Sequence, residues 1–236
     1  MYWLGKDIQF PNPRYASKQG LLAAGGDLSI ERLLFAYQWG IFPWYNAGEP
    51  VLWWSPDPRF VLYPDQIKIS KSMRRVLRNA NFEVRYDTAF DAVIDACAVI
   101  FREGQNGTWL VPEMQEAYRQ LHRLGYAHSV ETWKNGKLVG GLYGIALGKV
   151  FYGESMFAQV SNASKVALIH LARRLALDGY ELIDCQAETK HLERMGAGFI
   201  NRSDFLDVLE QNQSRPTKAE SWTHWNGGTW AEIAPK

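Results

Sequence analysis

Residues 128–157 read HSVETWKNGKLVGGLYGIALGKVFYGESMF, and this stretch decides the fold because it predicts three strands joined by tight turns. The segments 128–134, 137–146 and 150–152 are rich in β-branched and aromatic residues, as strands are. They are separated by Asn135-Gly136 and Gly148-Lys149, and Gly-containing dipeptides of this kind favour short hairpin turns. We therefore predict an antiparallel meander.

Helical patterns lie on both sides of this meander. Apolar residues recur at helical spacing before it, in 90–101 and after Pro112, and again behind it in 162–177. One face of the last helix is formed by Leu168, Leu171, Ala172 and Leu175. A short strand at 182–186 follows the Asp178-Gly179 break. The pattern predicts an α+β (mixed α/β) fold with a curved mixed sheet flanked by helices.

The chain changes character after SPDPR, residues 55–59. Residues 1–59 are rich in Gly, Pro and aromatic side chains, with turn signals and one short helix at 31–39. Helical and strand patterns alternate after this point. We predict a small, loop-rich N-terminal α/β domain at 1–59 and a larger domain at 60–236.

The composition is that of a globular protein. The chain has 236 residues, 47% of them hydrophobic, and a formal net charge of +1, so any nucleic-acid contact has to be a local basic face. It contains neither the run of roughly 18 apolar residues that a membrane helix needs nor a secretion signal at its start. Two cysteines, Cys97 and Cys185, lie in apolar contexts without a paired framework. We predict a cytoplasmic protein.

The segment KISKSMRRVLR contains a basic helix face. Lys71, Arg74, Arg75 and Arg78 follow one another at helical spacing, while Met73, Val76 and Leu77 occupy the opposite side. Such a face is often merely solvated. Four like charges without an intervening acid repel one another, however, and a phosphate backbone would relieve that repulsion.

A second candidate site combines GESMF with IDCQ. Strand alternation predicts Glu154 and Met156 on one face of their strand, and Asp184 and Gln186 on one face of theirs. The three polar groups converge if the strands are neighbours. Surface exposure is the plainer interpretation of an isolated polar strand residue, but unpaired polar groups among apolar neighbours are costly to bury.

The sequence contains no motif typical of metal-dependent or nucleotide-dependent catalysis. The sequence has no HExxH, no closely spaced Cys/His set, no phosphate-binding GxxxxGK[ST] loop and no GxGxxG that opens a helix. We therefore predict neither a metal nor a cofactor.

A set of ordered motifs resembles the bacterial leucyl/phenylalanyl-tRNA-protein transferase family. They are GLLAAGGDLS (20–29), AYQWGIFPWY (36–45), LWWSPDPR (52–59), GTW, HSVE, LVGGLYG, GESMF, NASK and LIDCQ. The resemblance implies a small N-terminal domain and a C-terminal domain like the acetyltransferase superfamily. It also implies transfer of Leu, Phe or, less well, Met from aminoacyl-tRNA to proteins that begin with Arg or Lys, which marks them for degradation by the N-end rule pathway.

The resemblance also implies roles for particular residues. Trp44 and Trp109 match aromatics that hold the terminal adenosine of the tRNA, and stacking suits an unpaired 3′ end. The walls of the aminoacyl pocket match Leu142, Met156 and Leu168. The basic helix is expected on acceptor-stem phosphates. Two positions depart from the family pattern, Leu171 and Thr189, so the shape of the pocket is expected to differ.

The substrate dictates the mechanism that we expect. An aminoacyl ester is already activated, so the reaction needs an oriented amine and no ATP, coenzyme or metal. We expect the side-chain oxygen of Gln186 to accept a hydrogen bond from this amine, with Asp184 orienting Gln186 and Glu154 adding a negative field. Because an amide is a very poor base, the proton has to leave through the ribose hydroxyl or water.

Two alternatives stay open at this point. One is an acyl-CoA-dependent N-acetyltransferase, although the nearest match to its pyrophosphate loop, ERMGAG at 193–198, begins with an acid and precedes no predicted helix. The other is a non-catalytic tRNA-binding module, for which the aromatics and the basic face would suffice.

Overall fold

The computed structural model describes residues 1–79, 81–99 and 110–234. Its helices are α1 (Ile30–Gln38), α2 (Lys71–Arg78), α3 (Phe90–Val99), α4 (Pro112–Arg123), α5 (Ala163–Leu177), α6 (Lys190–Arg194), α7 (Arg202–Asn212) and α8 (Trp230–Ile233). Its strands are β1 (Tyr2–Leu4), β2 (Leu21–Gly25), β3 (Phe42–Pro43), β4 (Leu52–Trp54), β5 (Arg59–Leu62), β6 (Glu83–Tyr86), β7 (Ala127–Lys134), β8 (Lys137–Leu147), β9 (Val150–Ala158), β10 (Leu182–Gln186) and β11 (Gly198–Ile200).

The strands form two sheets. The smaller has the order β1-β2-β4-β3, and the larger has the order β11-β5-β10-β9-β8-β7-β6. The predicted meander is confirmed as β7, β8 and β9, with β9 continuing past residue 152 to Ala158. In the larger sheet β9 and β10 run parallel, whereas the other described neighbours are antiparallel. The mixed α/β class is thus confirmed.

The larger sheet separates two apolar cores. Along β8, Tyr143 and Ile145 face the core that contains α1, α3 and α4, while Leu142 and Ala146 face the core that contains α5. The predicted apolar face of α5 is fully buried, which confirms that prediction. Because β8 is covered on both sides, it is nearly continuously apolar instead of alternating.

The N-terminal part is packed into this arrangement. The small sheet lies within residues 2–54, and Arg59 is already the first residue of β5 in the larger sheet. One apolar core contains residues from both sides of the predicted boundary, including Tyr37 and Tyr118. The division into domains at 1–59 and 60–236 remains a prediction.

The C-terminal tail docks against the far edge of the larger sheet. The Trp222 backbone N–H donates to Asp87, and the Trp222 ring stacks on His128 at 3.8 Å between centroids. Asn226 hydrogen-bonds both backbone groups of Tyr86, completing that end of the edge strand β6. Among the described residues, no helix is long and apolar enough to span a bilayer.

Candidate active site

A cavity of about 770 Å³ opens where two parallel strands separate. The pairing of β10 with β9 runs from Leu182–Val150 to Asp184–Tyr152. Beyond this point residues of both strands line the cavity, Glu154 and Met156 from β9 and Gln186 from β10. The sequence prediction that GESMF and IDCQ belong to neighbouring strands is therefore confirmed.

Both strands carry an extra residue at the place where they separate. Tyr143 is opposite Ser155 and Gly144 is opposite Gly153, so Glu154 is the inserted residue of β9. On β10 the inserted residue is Cys185, since Asp184 is opposite Val61 while Gln186 is opposite Phe60. A β-bulge bends its strand and redirects side chains, which is how two short strands present polar groups to an apolar cavity.

The bulge on β10 contradicts one prediction. Strand alternation placed Asp184 and Gln186 on the same face, but their β5 partners, Val61 and Phe60, are consecutive and face opposite sides of the sheet. Gln186 lines the cavity and Asp184 does not. The inserted Cys185 shifts the register by one residue, and Gln186 has a positive φ of 61°.

Glu154 accepts hydrogen bonds from three side chains. The Tyr37 hydroxyl donates to Oε1 at 2.8 Å, and the Tyr118 hydroxyl donates to Oε2 at 2.7 Å. The Gln186 Nε2 donates to Oε1 at 2.7 Å. The two phenol oxygens are themselves 2.7 Å apart. Because Gln186 commits its Nε2 to Glu154, its side-chain oxygen is the atom left to accept from a ligand.

Burial dominates the electrostatics of this cluster. It raises the pKa of Glu154 from 4.5 to about 7, against the opposing effect of the three donors, Tyr118, Tyr37 and Gln186. Burial and the nearby Glu154 raise the pKa values of Tyr37 and Tyr118 well above 10, so both phenols keep their protons. Glu154 is therefore the group in this cluster that changes charge near neutral pH.

Asp184 does not line the cavity and belongs to a fully buried ion pair. Its two carboxylate oxygens accept from Arg59 Nε at 2.8 Å and from Nη2 at 2.6 Å. The Arg59 guanidinium lies over the rings of Phe42 and Phe205, at 4.8 and 4.6 Å. Asp184 also accepts from the Gln186 backbone N–H at 2.9 Å. It thus contacts Gln186 through the main chain, where it supports the bulge.

The apolar part of the cavity contains the predicted wall residues. Leu142 and Met156 are opposite one another on β8 and β9, and Leu168 reaches the cavity from α5. Both positions that depart from the family pattern, Leu171 and Thr189, line the same cavity. Apolar walls with a flexible Met suit an aromatic side chain or an aliphatic one that is not branched at Cβ.

Trp44 lines this cavity and is 44% exposed. Its ring is 5.9 Å from that of Trp54, and the Trp54 Nε1 donates to the Trp44 carbonyl at 2.7 Å, which holds this loop in place. Trp109, the second aromatic expected at the adenosine, lies outside the described residues.

The basic helix is formed as predicted. In α2 the side chains of Met73 and Leu77 are buried. The exposed residues include the four predicted cations, Lys71, Arg74, Arg75 and Arg78. Ser70 caps the helix by accepting from the Met73 backbone N–H. These cations do not line the cavity, so they form a separate surface.

Three residues of the site were missed by sequence reasoning. Tyr37 of α1 and Tyr118 of α4 are both fully buried. Both carry a phenol that needs a partner when buried, and this was the available signal. Arg59 closes SPDPR and gave no sign of pairing with a residue 125 positions away.

Candidates for metal or redox chemistry are few. Within the ranges that the structure describes, no group of three or more His, Cys, Asp or Glu residues is arranged to hold a metal ion. Cys97 is buried, Cys185 lies at the cavity, and neither forms a disulfide. Burial raises the pKa of the Cys185 thiol, which disfavours the reactive thiolate.

Comparison with known proteins identifies relatives over nearly the whole chain. Residues 61–210 match the leucyl/phenylalanyl-tRNA protein transferase family, and residues 26–57 match the N-terminal domain of the same family. The leucyl/phenylalanyl-tRNA–protein transferase of Syntrophus aciditrophicus (strain SB) is 56% identical over 220 residues, covering 93% of this chain and 92% of that protein. The protein of the same name from Syntrophobacter fumaroxidans is 56% identical over 222 residues, covering 94% and 95%.

Among solved structures, a GCN5-related N-acetyltransferase from Kribbella flavida matches 70% of this chain and 59% of that chain. The TM-score is 0.36 and the sequence identity is 12%.

Proposed function

The chain belongs to the leucyl/phenylalanyl-tRNA protein transferase family, and on this premise we propose that its cavity holds the aminoacylated 3′ end of a tRNA while an acceptor amine attacks the ester. The protein is accordingly an enzyme, an aminoacyl-tRNA protein transferase. The observation that carries the proposal is the Gln186 amide, which Glu154 holds by hydrogen bond at the side of an apolar cavity.

The donor substrates are leucyl-, phenylalanyl- and, less well, methionyl-tRNA. Leu142, Met156 and Leu168 would surround the aminoacyl side chain, and Trp44 would stack on the terminal adenosine. A side chain branched at Cβ fits poorly in such a pocket because its second substituent lies close to the reacting carbonyl. The exposed cations of α2 would contact acceptor-stem phosphates without reading base sequence.

The acceptor is the N-terminal amine of a protein that begins with Arg or Lys, and the product is marked for degradation by the N-end rule pathway. Glu154 and the exposed Glu188 both line the cavity and would attract a cationic chain end. Cys97 and Cys185 form no disulfide in the described part of the chain, which fits a cytoplasmic location, where charged tRNA is available.

The reaction is aminolysis of an ester. The α-amine nitrogen attacks the aminoacyl carbonyl carbon, the C–N bond forms, and the bond to the ribose oxygen breaks. The Gln186 side-chain oxygen orients the amine by accepting one N–H, which places nitrogen and carbon within reach of one another. Asp184 supports this geometry by accepting a hydrogen bond from the Gln186 backbone N–H. This is a positioning role, whereas the sequence predicted that Asp184 orients the Gln186 side chain directly.

The test is transfer of radiolabelled Leu from charged tRNA to a peptide that begins with Arg, in metal-chelated buffer without ATP. Label should enter this peptide and a Lys peptide, but neither the N-acetylated Arg peptide nor a matched peptide that begins with Glu. Labelled acetyl-CoA should transfer nothing. Retained tRNA binding without any transfer to the Arg peptide would refute the proposal in favour of a binding module.

A further inference from the structure

The side chains of Tyr37, Tyr118 and Glu154 form a closed triangle of contacts beside the cavity, each contact made between two oxygen atoms. Each phenol contacts a different carboxylate oxygen, at 2.8 Å for Tyr37 and 2.7 Å for Tyr118, and the phenol oxygens are 2.7 Å apart. All three separations are hydrogen-bond distances for oxygen pairs. The three side chains come from α1, α4 and β9, so separate elements have been brought together to build this contact.

The triangle lacks one proton when Glu154 is ionised. A phenol carries one O–H proton, and an ionised carboxylate carries none. With Glu154 ionised, two protons serve three short contacts, so the oxygens of one pair face each other without a proton between them. One added proton completes the triangle: the Glu154 carboxyl donates to one phenol, that phenol donates to the other, and the second phenol donates back to the carboxyl.

We propose that Tyr37, Tyr118 and Glu154 form a proton-holding ring that takes one proton from the ammonium group of the acceptor and later releases it to water. This inference rests on the proposed transferase function. It supplies the base that the Gln186 amide cannot be, because an amide holds a proton too weakly. Glu154 lines the cavity and is hydrogen-bonded to the Gln186 amide, so it is next to the orienting group.

The proton balance closes without a further reagent. An acceptor α-ammonium has three N–H protons, and the amide product keeps one. One proton passes to the ring when the free amine forms, and water then removes it from the ring. The other passes to the ribose oxygen as the ester bond breaks, directly or through a water molecule. Ester and ammonium thus give amide, a free ribose hydroxyl and one released proton.

The surroundings of the ring favour uptake of a proton near neutral pH. Besides the two phenols, two groups act on Glu154. Gln186 donates a hydrogen bond to it, and the negative charge of Asp184 disfavours its ionisation. Tyr143 packs edge-to-face against Tyr118, with 5.4 Å between ring centroids, and adds a third phenol to the same environment. Burial raises the pKa of Glu154 to about 7, close to that of a peptide α-amine.

The first test is infrared difference spectroscopy of the protein without substrate, titrated with acid. One carboxyl C=O stretch should disappear as the pH rises through about 7, well above the range in which ordinary Glu side chains ionise. The E154Q variant should lack this signal. No such titration, or one that persists in E154Q, overturns the proposal.

The second test is the pH dependence of single-turnover Leu transfer in Tyr118→Phe, with Tyr152→Phe as the matched control. Tyr152 is buried close to Tyr37, but its hydroxyl has no hydrogen-bond partner among the described residues. Loss of the Tyr118 donor should raise the apparent pKa of Glu154, so the rising limb of the pH–rate profile should shift to higher pH by about one unit. The Y152F limb should coincide with that of the wild type.

The outcomes separate the ring from the proposed function. Transfer by the wild-type enzyme with an unmoved limb in Y118F refutes the ring and leaves the transferase intact. Absence of transfer by the wild type refutes the proposed function, while the infrared titration still reports on the ring. The peptide amine has the same pKa in every assay, so it cannot produce a difference between variants.

Discussion

Replacing Asp184 with Ala removes the partner of a fully buried guanidinium. Arg59 donates two hydrogen bonds to Asp184, at 2.8 and 2.6 Å, and both side chains are excluded from solvent. The truncated variant would retain the Arg59 charge in an apolar environment between Phe42 and Phe205. Breaking a buried ion pair on one side costs about 3–5 kcal/mol. A domain with a free energy of unfolding of about 5–15 kcal/mol would lose a large part of it.

A double variant separates the ion pair from its effect on catalysis. Arg59→Met with Asp184→Leu replaces both charges by apolar groups of similar size, a change that is often neutral or stabilising because it removes both desolvation penalties. We expect the double variant to be more stable than D184A by several kcal/mol. It should still transfer Leu poorly, since the Gln186 backbone N–H loses the carboxylate that accepts its hydrogen bond.

The assay is urea unfolding of the wild type, D184A, and the double variant, with tRNA binding and Leu transfer measured on each. D184A should lose both tRNA binding and transfer at temperatures where it is partly unfolded. The double variant should bind tRNA and fail mainly in transfer. If D184A unfolds within about 1 kcal/mol of the wild type, the argument from the buried pair is wrong. Transfer at the wild-type rate by a folded double variant would exclude a positioning role for Asp184.

Further variants test the pocket, the proposed adenosine contact, the basic helix and the raised pKa of Glu154. Leu171→Phe should narrow the cavity and lower kcat/KM for Phe relative to Leu at least about tenfold, measured with the two charged tRNAs in competition. Trp44→Ala should weaken binding of an aminoacyl-adenosine analogue by about 1–3 kcal/mol, measured by calorimetry. Reversing Arg74 and Arg75 to Glu should weaken tRNA binding and flatten its dependence on salt. The raised pKa of Glu154 should lower the stability of the wild type by up to about 3 kcal/mol between pH 4.5 and 7. Glu154→Gln should abolish this decrease, so its unfolding midpoints should stay constant over that range.

The sign of the Glu154 effect follows from its raised pKa. Above pH 4.5 the unfolded chain ionises this carboxyl freely, while the folded protein keeps it protonated until about pH 7. The folded state therefore binds more protons across this window, so stability decreases as the pH rises and is constant above it. With E154Q as the reference for all other carboxylates, a wild-type midpoint that rises over the same window would contradict the raised pKa of Glu154.

Secondary structure was predictable wherever a periodic pattern ran long enough. The helix at 162–177 appears as α5 and the helix at 31–39 as α1, with bounds within one residue, and the strand at 182–186 appears as β10. The amphipathic pattern of α2 likewise predicted which side is buried. These features depend on contacts within one turn or one hairpin, so the local sequence carries the whole signal.

The bulges were not predictable in this way. A bulge shifts the register of one strand by a single residue, and neither Glu154 nor Cys185 carries a local mark of it. Alternation therefore placed Asp184 on the cavity side, although the tertiary structure pairs it with Arg59 on the other face. The register was decided by which side chains could be buried on each face of β5 and β9, a property of the assembled sheet.

The sequence by itself determined the class of the fold, the basic face of α2, the apolar residues of the pocket and, through its motifs, the family. Tertiary structure alone decided that Tyr37, Tyr118 and Glu154 meet, because the phenols are 81 residues apart in the chain and Tyr118 lies 36 residues before Glu154. It also decided which carboxyl group lines the cavity and which one is enclosed with Arg59. Side-chain periodicity is a short-range property, whereas the pairing of buried polar groups depends on the packing of all the elements at once.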